Sequence, residues 1–585
     1  MLRNSGNDFG RMLFRDGYIQ TVAASGMEID HQAYEPTVVF MNGEYYAMLG
    51  MRERTNKDFV YSNYGLKEED FCINVISKTG SSECADFQLV KNIANNAYSA
   101  DAFTQIDELI DVDEFLNYIM TEVYIFNKDW SDNNNKAWKR NEDGKWRWIL
   151  YDTEYSTSLY EENMTSDGFS NLANLSYLSQ LIKNPEMSRR LMTKFVAHAG
   201  TTFDEVNTAN ILDSMMNMLS QEADYFRNFL AQKNIKETSL SWQEEAMKVR
   251  NFLVARQNVV FNHVANNLNF GSPVPLRIYS NIPGASYILN GLEPINKSDF
   301  HSKYFTGSQI SVKANAPVGY KFQKWEICRE NYIINTNDSW KYLYLNDSVA
   351  TPYNWKELSF DDSQWQLGEA PLGGSISYYV KTNVTGSSSS SWPGMGGIGG
   401  GGIGGGIGGG IGGGGIGGGG GFPGVIPGFG SSSANTTFFR KEININNLNS
   451  YSNELQCLAH ISDGAIIYLN GKEIYRNNLG SNVNDTTKAI YEMDSYATLR
   501  FNIRRSDFVE GRNVIAVELH SAKNSSSVAF DLSLLDENTG VSVTNTYNKD
   551  EYSGNVNEAF VLRAIFESDN SSTSYDKLYI NEVCA

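Results

Sequence analysis

Three polar side chains in the first third of the chain have the residue types that phosphate chemistry uses. Asp129 stands five residues before Asn134, and Asp152 follows further along the chain. Carboxylate and amide oxygens are the ligands that hard cations such as Mg²⁺ prefer. Phosphoryl transfer needs little covalent help, but it needs a cation on the phosphates and a carboxylate that orients the attacking hydroxyl. This pattern therefore indicates metal-assisted phosphoryl transfer.

A β-hairpin is predicted between the loop that holds Asn134 and the segment that begins at Asp152. Residues 136–140 and 145–151 have strand character, and the turn sequence between them ends in Gly144. If the residues that flank the turn are paired, the antiparallel register places Asn134 opposite the residue just before Asp152. Because neighbouring strands lie about 5 Å apart, we expect these two side chains to meet at the open end of the hairpin.

An amphipathic helix is predicted to deliver the loop to this position. Asp111 is the expected N-cap, and Asn127 and Asp129 follow the C-terminal end of the helix. Offsets of three and four mark one apolar face, which consists of positions 112, 115, 116, 119, 120, 123 and 126.

The pattern Asn127-x-Asp129-Trp130-x-x-Asn133-Asn134, the tryptophan-rich hairpin and Asp152-Thr-Glu-Tyr together resemble the CotH kinase family, the atypical secreted kinases named after spore coat protein H. The resemblance implies a protein kinase that transfers the γ-phosphate of ATP to Ser or Thr of an extracellular or coat protein, with Mg²⁺ or Mn²⁺ as cofactor. It also implies that Asp129 is the catalytic residue and that Asp152 binds the metal, with Asn134 beside it. The Asp-x4-Asn spacing is also the one used in kinase catalytic loops.

Three further polar residues around the hairpin have two interpretations each. Glu154 stands where the family often has Asp, so it either binds a second metal ion or is solvated. Lys136 and Lys139 flank the loop and either contact phosphate or face water as strand residues.

An Asn42-Gly43 turn with apolar runs on both sides predicts a second hairpin, with a type I′ turn. It leads into Arg52 and Glu53, and this arrangement again resembles CotH-like proteins. By analogy with kinases, the hairpin belongs to the smaller lobe and Arg52 and Glu53 lie beside the nucleotide. The alternative is a plain surface ion pair.

The expected fold class is multidomain, with an α+β atypical kinase-like domain over 1–270 followed by all-β modules. Family members begin with further strands that carry phosphate-facing basic residues, and this chain starts after them, so we expect an N-terminally incomplete kinase-like domain. After residue 171 the large lobe is predicted to be mainly helical. Its expected helices are 189–198, 207–221 and 242–267.

The remaining chain is predicted to consist of short strands separated by turns. Residues 274–330 resemble a small β-repeat or immunoglobulin-like module. Residues 338–536 resemble a galactose-binding-like jelly roll, interrupted by a Gly-rich loop over 387–430. Residues 537–585 are expected to be a linker and the start of a lamin-tail-like domain. In the jelly roll, Trp355 and Trp365 are interpreted as core residues, with carbohydrate binding as the alternative.

Composition excludes several classes of protein. The net charge of −20 argues against a nucleic-acid-binding protein, which needs clustered Lys and Arg. The six histidines show no metal-binding spacing, so a zinc site is unsupported. No apolar run outside the Gly-Ile tract is long enough to cross a membrane. The family resemblance implies a secreted or cell-surface protein, although no signal peptide stands at Met1.

The five cysteines are too few for a dense disulfide framework. Cys72 and Cys84 either pair or remain two thiols. Two other functions stay open. Asp129 and Asp152 could act as a glycosidase pair, although the neighbouring asparagines favour metal and phosphate. A surface adhesion or carbohydrate-binding protein with an inactive kinase-like domain is the second hypothesis.

Overall fold

The computed structural model describes residues 1–76, 84–99, 101–131, 133–159, 165–235, 237–238, 240–344, 352, 354–374, 381–384, 436–490, 498–522 and 529–569. An α+β region fills the first 270 residues, and the rest of the described chain is almost entirely β. This division agrees with the fold class expected from the sequence at that coarse level. The Gly-rich loop 387–430 and the last residues, 577–585, lie outside the described residues.

The α+β region contains seven strands and nine α-helices among its described residues. The strands are β1 (Leu2–Arg3), β2 (Asp30–His31), β3 (Tyr34–Met41), β4 (Glu44–Arg52), β5 (Phe71–Ile76), β6 (Asn135–Arg140) and β7 (Arg147–Leu150). The helices are α1 (Arg15–Ala24), α2 (Lys57–Tyr64), α3 (Phe87–Ala94), α4 (Ala102–Leu109), α5 (Val112–Tyr124), α6 (Ser176–Leu181), α7 (Pro185–Ala199), α8 (Glu205–Gln232) and α9 (Trp242–Leu268).

The β3–β4 hairpin forms the predicted type I′ turn. Asn42 and Gly43 both have positive φ, 54° and 85°, as this turn requires. Strand β1 adds to the other edge of β4, with Arg3 opposite Gly50, and completes a three-stranded sheet.

The β6–β7 hairpin has the register that the sequence predicts. Ala137 lies opposite Trp148 and Trp138 opposite Arg147. Continued towards the open end, this pairing sets Asn134 opposite Tyr151. The hairpin is central in a four-stranded sheet of order β2-β7-β6-β5.

The predicted helices are present with shifted ends. Asp111 caps α5 by accepting a hydrogen bond from the backbone N–H of Glu114. Ser241 and Glu244 form a capping box that begins α9. Trp130, Trp146 and Trp148 are fully buried. Trp130 and Trp148 make aromatic contacts with α5 and Trp146 contacts Phe87 of α3, so the tryptophans are structural supports of the loop.

The second unit is a pair of β-sheets. Its strands are β8 (Pro273–Ser280), β9 (Ser286–Leu289), β10 (Glu293–Ile295), β11 (Asp299–Phe305), β12 (Gln309–Asn315) and β13 (Tyr320–Glu330), and three that return from the end of the chain, β25 (Val541–Tyr547), β26 (Glu551–Asn555) and β27 (Phe560–Ser568). The sheet orders are β10-β9-β12-β26 and β11-β8-β27-β13-β25.

The returning strands correct the prediction of a linker after residue 537. Strand β27 lies between β8, to which it is parallel, and β13, and it buries Leu562, Ala564 and Phe566 in the same core as the helices. Its partners precede it by more than 200 residues, so local patterning could not reveal the pairing. Residues 541–568 therefore complete the module that starts at Pro273.

The third unit is a β-sandwich inserted into the second. Its strands are β14 (Ser339–Tyr344), β15 (Gln366–Glu369), β16 (Leu372–Gly373), β17 (Thr382–Asn383), β18 (Thr436–Ile445), β19 (Glu454–Ile461), β20 (Gly464–Leu469), β21 (Lys472–Asn477), β22 (Thr498–Arg504), β23 (Gly511–His520) and β24 (Ala529–Leu535), and the short helix α10 (Glu537–Gly540) follows. The sheets are β15-β14-β18-β23-β20-β21 and β17-β16-β24-β19-β22.

The two sheets of the sandwich share a core in which the Trp340 ring meets the Phe530 ring at 4.9 Å. Trp355 is buried and stacks with the half-buried Trp365 on another cluster, which agrees with the core interpretation of both residues. Far away, in the α+β region, Cys72 and Cys84 form a disulfide. Within the described chain, every helix is too short or too polar to cross a bilayer.

A buried ionic cluster joins α7 to the second unit. Glu293 Oε1 lies 2.6 Å from Lys194 Nζ, and its Oε2 lies 3.2 Å from His198 Nε2. Burial opposes ionisation of Glu293, but the hydrogen bond with His198 and the charge of Lys194 outweigh it and lower the pKa to about 2.

The pKa of Glu293 in the folded protein lies below its ordinary value of 4.5, so the ionised carboxylate stabilises the fold fully above about pH 4.5. This contribution to stability is lost as the pH falls from about 4.5 towards 2. We expect Glu293→Gln to lower the free energy of unfolding by about 3 kcal/mol at pH 7 and by less than half of that at pH 3. Urea unfolding followed by tryptophan fluorescence measures both values. Glu558→Gln, at an exposed pair with Arg329, is the matched control. A loss that is equal at both pH values would contradict this role.

Candidate functional site

The Asn127–Asn134 loop holds Asp129 through two amide side chains. Asn133 Nδ2 donates to Asp129 Oδ1 at 2.6 Å, and Asn134 Nδ2 donates to Oδ2 at 3.2 Å. Asn127 Oδ1 accepts from the backbone N–H of Asp129 at 3.3 Å. The carboxylate is half-buried and oriented from two sides. The carbonyl oxygen of Asn134 is then the atom of that side chain that could bind a cation.

Asp152 and Glu154 lie at the open end of the hairpin, as the register requires, and one guanidinium links them. Arg3 Nη2 lies 2.8 Å from Asp152 Oδ1, and Arg3 Nε lies 3.0 Å from Glu154 Oε1. The backbone N–H of Asn7 donates to Glu154 Oε2 at 2.9 Å. Of the two interpretations of Glu154, solvation is wrong, because this carboxylate is only 1% exposed.

The region around Asp129, Asp152 and Glu154, called the cleft below, contains mainly acidic groups. Burial raises the pKa of Asp152, and the nearby charges of Asp16 and Asp129 add to the effect, while Arg3 opposes it. Burial, against the opposing charge of Arg3, raises the pKa of Glu154 to about 7. Negative charge is therefore in excess here, and added positive charge would stabilise the ionised carboxylates.

A further carboxylate, Glu122 of α5, faces the same region. Burial raises its pKa well above the ordinary value, the nearby side chain of Asn127 acts in the opposite direction, and the charges of Asp152 and Asp16 raise it further. Sequence reasoning missed Glu122 because it stands inside an amphipathic helix without a motif.

The acidic segment Asp152–Ser158 has unusual backbone geometry. Asp152, Thr157 and Ser158 have φ of 58°, 50° and 58°, a region that β-branched residues such as Thr rarely adopt. Such strain persists only where the surroundings fix it, and it is concentrated at functional sites.

Arg15 supplies that fixation. Its Nη1 donates to the carbonyl oxygens of Ser156 and Thr157, at 3.3 and 3.1 Å, and to Thr157 Oγ1 at 2.8 Å. Its Nε pairs with Asp8 Oδ1 at 3.1 Å, and both side chains are fully buried. Glu245 Oε2, on α9, lies 3.5 Å from Arg15 Nη2. A buried ion pair thus ties the acidic segment to the first helix.

The structure gives Arg52 and Glu53 structural contacts. Arg52 is buried, pairs with Asp16 at 2.6 Å and lies over the Tyr34 ring. Asp16 in turn accepts hydrogen bonds from the backbone and hydroxyl of Thr153, both at 2.9 Å. The interpretation of Arg52 and Glu53 as a surface ion pair is therefore wrong.

Glu53 fastens two chain segments: its Oε2 accepts from the Ala33 N–H at 2.9 Å, and its Oε1 accepts from Asn63 Nδ2 at 3.0 Å. Arg52 is connected to the site only indirectly. It pairs with Asp16, which accepts hydrogen bonds from Thr153, the residue next to Asp152. The expected contact of both residues with a nucleotide stays a prediction.

Lys136 lies beside the cleft and is held in place. Its Nζ donates to Thr55 Oγ1 at 2.7 Å and to the Thr55 carbonyl at 3.1 Å, and it stacks over the Tyr151 ring. Burial lowers its pKa, and the charge of the exposed Arg54 lowers it further, while Asp152 raises it. Lys139 pairs with Asp86, away from the loop.

Two basic residues near the cleft, Arg3 and Arg54, were missed by sequence reasoning. Arg3 has no motif, and its place follows only from the pairing of β1 with β4. Arg54 stands two residues after Arg52, and its proximity to Lys136 appears only in the folded chain.

The donor set fits a hard cation. Asp129, Asp152, Glu154 and the Asn134 carbonyl offer oxygen only, and the guanidinium of Arg3 already lies between two of these carboxylates. Among the described residues, no three His, Cys, Asp or Glu side chains form a ready-made metal cluster. Mg²⁺ is commonly bound by one or two carboxylates together with substrate phosphates, so such a cluster is not required.

The Arg15 ion pair yields a stability prediction. Arg15→Met would leave Asp8 buried without its partner and Glu245 with Arg11 alone, so we expect a loss of about 3–5 kcal/mol in the free energy of unfolding. Adding Asp8→Asn should recover part of that loss. Urea unfolding measures both variants. The control is Arg189→Met, which removes a surface pair with Glu186 and should cost less than about 1 kcal/mol. Equal losses for Arg15→Met and Arg189→Met would contradict the role of the buried pair.

Comparisons of this chain with known proteins gave a family match and matches to solved structures. No curated protein matches it. Among solved structures, a β-glycosidase from Bacteroides vulgatus is 15% identical with a TM-score of 0.20, and the match covers 35% of this chain and 20% of the glycosidase. A β-glucuronidase of an uncultured Clostridium is 11% identical with a TM-score of 0.17, covering 38% of this chain and 31% of the enzyme.

A lectin from Pleurotus ostreatus is 10% identical with a TM-score of 0.12, and the match covers 48% of this chain and 72% of the lectin. Because all these TM-scores are low, no functional conclusion is drawn from them. The chain spans about a fifth of the length of the B. vulgatus glycosidase. Residues 1–260, which contain the loop, the hairpin and the acidic segment, match the family model of CotH kinase protein.

Proposed function

We propose that residues 1–260 act as an ATP-dependent protein kinase of the CotH type, which transfers the γ-phosphate to Ser or Thr of an extracellular or coat protein. The observation that supports the proposal is that Asp129, oriented by two asparagines, lies within electrostatic range of Asp152, which shares Arg3 with Glu154. The family match over the same residues supports it.

Asp129 would orient the acceptor. Its carboxylate, held by Asn133 and Asn134, accepts the proton of the attacking hydroxyl as the oxygen of that hydroxyl bonds to the γ-phosphorus. The bond from the γ-phosphorus to the leaving ADP oxygen breaks in the same step. The two asparagines fix the carboxylate before the acceptor arrives, which is the positioning that phosphoryl transfer requires.

Asn134 and Asp152 would hold Mg²⁺ or Mn²⁺, and Glu154 would support a second ion. The bound cation neutralises negative charge on the phosphates. Arg3 keeps the pair of carboxylates together, and Arg54 and Lys136 place positive charge at the edge of the cleft. Arg52 acts indirectly by fixing Asp16 against Thr153.

A transfer assay with radiolabelled ATP, Mn²⁺ or Mg²⁺ and a Ser-rich acceptor protein tests the role of Asp129. We expect Asp129→Asn to lower the rate on the order of 10²-fold or more, because the amide cannot take the hydroxyl proton. Asp143→Asn, in the turn at the far end of the hairpin, is the matched control and should retain the wild-type rate. Equal transfer by Asp129→Asn and wild type would contradict the proposal.

Removal of Arg3 tests the metal site separately from activity. Arg3→Met leaves Asp152 and Glu154 without their cation, so Mg²⁺ should raise the melting temperature of this variant more than that of the wild type. Arg189→Met, far from the cleft, should respond as the wild type does. If Mg²⁺ stabilises Arg3→Met no more than the wild type, Asp152 and Glu154 are not its ligands.

A further inference from the structure

A large cavity lies where the three units of the chain meet. It has a volume of about 930 Å³, which is within the usual range for small-molecule sites. Helix α9 contributes Asn258, β11 contributes Lys303, and the outer face of the sandwich contributes His460 and Arg500. A second cavity of about 730 Å³ also contains Arg500 in its wall.

The sandwich wall follows from strand alternation. Cys457 and Ala459 of β19 point into the sandwich core, so Leu458 and His460 face outwards. Arg500 of β22 lies opposite Leu458 and therefore shares this face. The wall thus presents an imidazole and a guanidinium to the cavity.

Lys303 faces these groups from the second unit. Burial lowers the pKa of Lys303 to about 8, and its Nζ donates to the Asn258 carbonyl at 3.5 Å. Burial lowers the pKa of His460 to about 4, and the charges of Lys303 and Arg500 both act in the same direction. His460 therefore lies within electrostatic range of both Lys303 and Arg500, which places these two cations on facing walls of one cavity.

The carboxylates around the cavity are engaged elsewhere. Asp299, Glu330 and Glu537 all pair with Arg277. The remaining cavity acids are bound as well: Glu558 pairs with Arg329, and Asp531 accepts two hydrogen bonds from the Asn337 N–H.

Glu205, within electrostatic range of Arg500, pairs with Arg250. In the described part of the chain, no carboxylate forms an ion pair with Lys303 or with the Arg500 guanidinium. These two cations are thus placed as a counter-charge for something that enters the cavity.

We propose that this cavity binds a small organic anion, whose carboxylate or phosphate group is held between Lys303 and Arg500. Charge-assisted hydrogen bonds from Lys and Arg are the strong contacts for such groups, and an anion would neutralise the positive charge that Lys303 and Arg500 bring to the cavity. Half-buried Ile327, Tyr332 and Phe560 line the same space and offer contact for the body of the ligand. This site lies outside the Asp129 cleft and does not depend on kinase activity.

Isothermal titration of the full chain with glucuronate, glucose 6-phosphate, inorganic phosphate and neutral glucose tests the proposal. We expect both organic anions to bind, inorganic phosphate to bind more weakly and glucose not to bind. Arg500→Gln and Lys303→Met should each weaken binding of glucuronate by roughly tenfold or more, since each removes a hydrogen bond to a charged group. The melting temperature of each variant, measured first, verifies that it is folded.

Two matched variants locate the binding. Arg504→Gln removes an exposed guanidinium from the same strand as Arg500, and it should bind glucuronate like the wild type. Asp152→Asn should also bind glucuronate like the wild type, which separates this cavity from the kinase-like cleft. The proposal is overturned if neither organic anion binds, if glucose binds as tightly as glucuronate, if inorganic phosphate binds as tightly as glucose 6-phosphate, or if Arg500→Gln binds glucuronate unchanged.

Discussion

Mutual repulsion among buried carboxylates is the constraint on which the α+β region depends. The charges of Asp16 and Asp129 act on Asp152, those of Asp16 and Asp152 act on Glu154, and burial makes the charges of Asp152 and Glu154 more costly. Arg3 and Arg52 offset part of this charge, and they come from two neighbouring strands of the same sheet, β1 and β4. The small sheet thus supplies the positive charge that allows the acidic segment to exist.

A second buried ion pair, Arg15 with Asp8, also stabilises the acidic segment, but it does so through backbone contacts. It holds backbone carbonyls of the acidic segment and so maintains residues in left-handed conformations that they would otherwise leave. An arrangement that keeps acidic groups together at the cost of strain and repulsion is typical of a functional site, because stability alone would favour fewer charges. The proposed cation would pair with the excess carboxylates, and the phosphate would pair with the basic side chains at the edge of the cleft.

Local patterns in the sequence predicted much of this region. The β6–β7 register, the Asn42-Gly43 turn and the Asp111 cap each rest on residues within a few positions of one another, and the structure confirms all three. The partners of Asp152 could not be predicted, because Arg3 meets it only after β1 has paired with β4. For the same reason the sequence predicts a linker within 537–585 where the structure has strands. Strand β27 pairs with β8 and β13, which lie far earlier in the chain.

In the proposed function, Asp129, Asn134 and Asp152 surround a metal-bound nucleotide. A crystal of the full chain grown with Mn²⁺ and a non-hydrolysable ATP analogue, with data collected at a wavelength where manganese scatters anomalously, locates the ion directly. We expect an anomalous peak from Mn²⁺ at about 2.0–2.3 Å from a carboxylate oxygen of Asp152, with the γ-phosphate on the side of Asp129. A nucleotide bound elsewhere, or a peak away from Asp152, would contradict it.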